Sequence, residues 1–244
     1  ARSQRYVNWK AVLMTGDNEI VAFDNGREKL AQALQAHGIK PQNIRQLTMK
    51  KELQSDNVGQ SSKKNLALAL RNLKLKKGDG CFVHITSHGT PEGIVMRDQA
   101  PLSPFDLHRI LRRHCKRLPT VVMAVGCYTG VFNSKTLKRS RRAIYTAARD
   151  DRTSFGCGVE DVYTYWDGCL LEELPKHKTW SRLYKGIDRC IANKEAKFQV
   201  DFRSYPQLGL GKKIRKLGVF NAKIGSGKKK KKRRPKKRAA AGST

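Results

Sequence analysis

Acidic residues are scarce in this sequence: 20 Asp and Glu stand against 51 Lys and Arg among 244 residues, a formal net charge of +31. No run approaches the roughly 18–20 apolar residues that cross a bilayer as a helix, so no spanning helix is expected. No apolar signal-peptide core stands near the start, although a processed precursor would look the same, and the compartment stays open. The six cysteines (81, 115, 127, 157, 169, 190) lie far apart with no CxxC pair, and the only close Cys/His pair, His114-Cys115, is adjacent in sequence. That spacing argues against the clustered ligands of a zinc site, and neither a metal nor an organic cofactor is expected. A dense disulfide framework belongs to small secreted domains, so most thiols are expected as small core residues, with an even number that leaves room for a bridge or two. No internal repeat is visible.

Hydrophobic residues make up 39%, enough for a packed interior and too many for general disorder. The length suits one α/β domain, expected over residues 1–222, followed by a basic tail over 223–244 that is expected to be disordered. Residues 228–238 (KKKKKRRPKKR) carry ten of the 51 basic side chains, and the remaining 41 still face 20 acids. The folded part is therefore basic in its own right. Such a field attracts nucleic acid, anionic lipid or acidic peptide in a salt-dependent way, or serves only solubility.

Short apolar runs alternate with helical patterns. Residues 10–14 (KAVLM), 44–47, 81–86 (CFVHIT), 120–125 (TVVMAV) and 142–147 (RAIYTA) read as strands. Helices are expected over 25–37 with Gly38 as C-cap, over 62–75, from Ser103 with Pro104 at the first position, over 167–174 and over 179–193. This order indicates a three-layer α/β fold around a mostly parallel sheet.

In such sheets the working groups gather where strands end. The run CFVHIT ends in Ser87-His88-Gly89, and TVVMAV ends in Gly126-Cys127-Tyr128-Thr129-Gly130. If the two strands are neighbours, an imidazole and a thiol project from one edge, as nucleophilic thiol chemistry requires. The backbone N–H groups of Gly89 and Cys127 are the natural pair to hold an oxyanion. Singly, His88 reads as a loop histidine and Cys127 as a buried thiol; matched positions, each flanked by glycine, favour the catalytic reading. His84, inside a strand, reads as a core histidine.

These motifs, 39 residues apart, resemble the legumain (asparaginyl endopeptidase) family, and caspases and the glycosylphosphatidylinositol transamidase catalytic subunit share the arrangement. The segment Tyr145-Thr146-Ala147-Ala148, the run Asp151-Arg152-Thr153-Ser154-Phe155-Gly156-Cys157, Tyr163-Thr164-Tyr165, Ser204-Tyr205-Pro206-Gln207, Asp17 and Phe23-Asp24-Asn25 are similar to that group, so the resemblance covers residues 6–217. It implies a caspase-like cysteine peptidase acting on peptide or protein substrates, with Cys127 as nucleophile, His88 as base and then acid, and a thioester resolved by water. It also implies that Thr153 and Ser154 line the substrate pocket.

The pocket departs from the family pattern. Where legumains place Arg-His after the first strand, Asp24 and Asn25 stand here; Val125 replaces a Glu, and Ala22 an Asn that orients the histidine. An asparaginyl preference therefore does not carry over. Asp24, with Asp151 or Asp167, would favour Lys or Arg at P1 through a charge-assisted hydrogen bond. Against this, Asp24 also suits an N-cap on the next helix. Two alternatives remain: a basic nucleic-acid-associated protein on the same scaffold, and a peptide ligase whose thioester is resolved by an amine.

Overall fold

The central strands of this chain are buried along nearly their whole length because both of their faces are covered, as in parallel sheets flanked by helices. The computed structural model describes residues 6–224. The expected basic tail lies outside the described residues, except for Lys223 and Ile224. The strands are β1 (Asn8–Thr15), β2 (Ile44–Thr48), β3 (Val58–Gln60), β4 (Asp79–Thr86), β5 (Gly89–Thr90), β6 (Gly93–Met96), β7 (Gln99–Leu102), β8 (Thr120–Val125), β9 (Arg142–Thr146) and β10 (Gln207–Leu210). The helices are α1 (Val21–Ala36), α2 (Lys63–Asn72), α3 (Pro104–His114), α4 (Tyr165–Glu173) and α5 (Trp180–Lys197).

Seven strands form one sheet in the order β10-β9-β8-β4-β1-β2-β3, parallel except for β10. Every residue of β4 and β8 is buried. Side chains alternate between two apolar layers. Leu13, Phe82 and Val121 face α1, α4 and α5 through Leu34, Trp166 and Ile187. Val12, Val83 and Val122 face α2 and α3 through Leu70 and Leu107. This is the three-layer, mostly parallel architecture expected.

Local chemistry sets the helix starts. Ser62 and Thr179 accept hydrogen bonds from the N–H groups of Asn65 and Arg182, and Ser103 and Asp106 form a reciprocal capping box. Helix α1 begins at Val21, four residues earlier than expected, so Asp24 lies inside its first turn and caps nothing. The expected core thiols resolve into two bridges, Cys81–Cys115 and Cys169–Cys190, leaving Cys127 and Cys157 free. The first ties β4 to the end of α3, the second α4 to α5. Among the described residues no helix is long and apolar enough to cross a membrane.

Candidate active site

The central pair β4 and β8 runs in register to Thr86 and Val125, and Ser87 N–H donates to the Val125 carbonyl (3.1 Å). His88 and Cys127 therefore leave the same edge of the sheet. The two turns then press together backbone to backbone. Gly126 has φ +155°, and a Cβ there would lie 2.6 Å from the Ser87 oxygen. A Cβ on Gly89 would collide with the carbonyl oxygen of Cys127 and lie 3.0 Å from its nitrogen. Only glycine permits this approach. Tyr128 adopts a left-handed φ of 59° and donates its N–H to the Arg152 carbonyl (2.8 Å), locking the Cys127 turn onto the next loop.

The half-buried Cys127 thiol lies against Ser154. It accepts from Ser154 N–H at 3.3 Å, and Ser154 O and Oγ are each 3.7 Å away. The His88 ring meets Phe23 edge-to-face, with centroids 5.2 Å apart at 85°. Phe23 is fully buried in α1. It occupies the neighbourhood where the sequence offers no orienting Asn, and aromatic patterning alone did not single it out. The second free thiol is no competitor: burial, then Cys127, Asp167 and Asp161, push Cys157 up to about 12.

The expected pocket carboxylates are distributed differently. Asp24 is buried, and its Oδ1 accepts from Arg27 Nε at 2.9 Å, while Arg27 also binds Gln46. That corrects the expectation of a free Asp24 charge, because the guanidinium cancels it inside the fold. Asn25 donates to the Val162 carbonyl at 3.0 Å. Asp151 is exposed and spanned by Arg149 (2.8 Å) and Arg152 (3.0 Å), which likewise neutralise it. Thr153 is exposed beside it.

Asp167 is buried beneath the edge that carries His88 and Cys127. Its oxygens accept from Thr86 and Thr164 hydroxyls, each at 2.9 Å, and meet His84 Nε2 at 2.8 Å. The core histidine thus has a specific carboxylate partner that the strand pattern could not reveal, since 83 residues separate them. Gly26 faces this carboxylate, and a Cβ there would stand 2.9 Å from Asp167 Oδ2. Among the described residues no three His, Cys, Asp or Glu side chains converge as a metal site.

A thiol and an imidazole at the carboxyl ends of neighbouring central strands, in this strand order, define a caspase-type α/β scaffold. The crystal structure of caspase-1 from Spodoptera frugiperda superposes with a TM-score of 0.61 and 12% identity, covering 86% of this chain and 88% of that one, a likeness of fold. No curated protein matches the chain. The Peptidase C13 family model matches residues 51–174, just over half the chain, including His88, Cys127 and Ser154. The chain belongs to the peptidase C13 (legumain) family and is a cysteine-type peptidase.

Proposed function

We propose that Cys127 and His88 form the working dyad of a peptide-bond hydrolase. The observation that carries this reading is the interlocked backbone of Gly89, Gly126 and Cys127, which seats both side chains on one edge. His88 takes the thiol proton and Sγ attacks the substrate carbonyl carbon. The resulting oxyanion lies against the N–H groups of Gly89 and Cys127. Collapse expels the amine, which takes its proton from His88, and leaves a thioester on Cys127. Water, deprotonated by His88, cleaves the thioester, releasing the acid and restoring the thiol. Ser154 N–H already donates to the sulfur at 3.3 Å and fixes its position.

For P1 the reading is a Lys or Arg side chain. Of the three aspartates, Asp24 and Asp151 are consumed by arginines, so Asp167 carries the attraction. Among the described residues it has no Arg or Lys partner, and its carboxylate can accept beyond its three donors, His84 and the hydroxyls of Thr86 and Thr164. Acyloxymethyl ketone probes bearing Arg, Lys, Asn or Asp at P1 test both points. Labelling of wild type that vanishes in Cys127→Ala supports the nucleophile, and preference for the Arg and Lys probes supports the pocket. Labelling that persists in Cys127→Ala would remove the dyad, and turnover of Asn substrates with none of Arg or Lys would remove basic specificity. Adding a peptide amine to the same assay shows whether the thioester is hydrolysed or ligated.

A further inference from the structure

We propose that the chain binds single-stranded nucleic acid along basic grooves at the sheet edge opposite the thiol and on the neighbouring helices. The N-terminal ends of β1, β4, β8 and β9 frame a cavity of about 550 Å³. Its apolar lining includes Val7, Leu118 and Leu217, while Lys76, Lys77, Lys116, Arg117, Arg141 and Lys213 supply six cations. All six are exposed, and none forms a salt bridge among the described residues. The one carboxylate in the lining, Asp79, is already held by Lys10 at 3.0 Å. A second groove, of about 820 Å³, runs between α2 and α3 past Lys64, Arg71, Arg109, Arg112 and Arg113. Its Asp106 is likewise taken up, by Lys63 at 2.9 Å.

The two grooves belong to one field. His114 lines the second and is held below its ordinary value by burial, then by Arg113, Arg71 and Lys116, the last of which lines the first groove. His88 and Cys127 line neither groove. The eight residues of β4 separate the first groove from the edge that carries His88 and Cys127 by about 25 Å, so binding there is separable from cleavage.

Concavity disfavours a flat lipid surface, whose headgroups would reach only the rims. The choice among linear polyanions is made by two exposed aromatic rings set among the cations. Tyr6, 69% exposed, lines the first groove, and Phe105, 61% exposed, adjoins the second without lining it, 5.9 Å from the guanidinium of Arg109, which does. Exposed rings beside a cationic track are what unpaired bases stack on. A sulfated glycan offers no such face, and a duplex hides its own.

The test is fluorescence anisotropy on the full chain with a labelled oligo-dT or oligo-U strand of roughly 20 nucleotides, across a salt series. Wild type and Cys127→Ala should bind alike. Neutralising Lys116, Arg117 and Lys213 together to Gln should weaken binding at least about tenfold and flatten the log–log salt slope by about 2, the loss of three phosphate contacts. Tyr6→Ala and Phe105→Ala should each weaken binding about fivefold or more without changing that slope. All five side chains are exposed, and thermal melting of each variant separates misfolding from lost contacts. Three results would overturn the proposal. One is binding untouched by the triple variant and abolished when residues 228–238 are neutralised. Another is a duplex or heparin binding as tightly as the single strand. The last is capture of anionic vesicles with none of the oligonucleotides.

Discussion

A methyl group at Gly89 has nowhere to go but the carbonyl of Cys127. Gly89→Ala should therefore push the turns that carry His88 and Cys127 apart and withdraw the proposed oxyanion donor. A loss of about 10²-fold or more in kcat/KM is expected, measured on a turned-over fluorogenic peptide. Phe23 acts at one remove, through the face it offers His88. An edge-to-face contact contributes about 1 kcal/mol, so Phe23→Leu should lower kcat about fivefold with KM little changed, and Phe23→Tyr should restore most of it. An equal rise in KM would place Phe23 in substrate binding instead. Asp167→Asn should abolish any preference for Arg over neutral P1 residues, and it should also destabilise the fold, because His84 loses its charged partner.

At the scale of elements, β4 is held at both ends. At its start, burial opposes ionisation of Asp79, but Lys76 N–H, Asn8 and Lys10 outweigh it and hold the carboxyl below its ordinary value. A depressed carboxyl contributes stability that is complete above the unfolded pKa and is lost as pH falls through the folded one. The tie to Lys10 is thus intact at neutral pH and fails in acid, below roughly pH 4. Asp79→Asn leaves the Lys10 ammonium buried without its carboxylate. It should cost about 3 kcal/mol by denaturant unfolding at neutral pH, and much less in acid. The central strands were legible in the sequence because parallel strands covered on both faces must be apolar throughout, as in CFVHIT and TVVMAV. The hairpin β5–β7 was not, since strands of two to four residues carry no usable period. The placement of His88 and Cys127 followed from strand ends flanked by glycine. The role of Asp24 did not, because a helix read from Asn25 leaves it as a cap, whereas one starting at Val21 sets it against Arg27 within one turn.

For the whole molecule, the strand sequence separates two edges: one carries the thiol, the other a field of unneutralised lysines and arginines. The two disulfides follow a different logic. Cys81 and Cys115 are both fully buried, whereas Cys190 is partly exposed in its bridge to Cys169, so a reductant reaches the second bridge first. With its ends 21 positions apart in sequence, that bridge contributes about 3 kcal/mol in the chain-entropy account. It also fastens α5 to α4, the helix whose first turn presents Asp167 beneath the edge that carries His88 and Cys127. Mild reducing agent should raise activity by keeping Cys127 free, and stronger reduction should lower both melting temperature and P1 selectivity. Active-site titration beside thermal melting, across a graded series of reductant, would show whether the two transitions separate. The reagent that readies the nucleophile also unfastens its scaffold, which gives the protein a working window of reducing strength with an upper bound as well as a lower one.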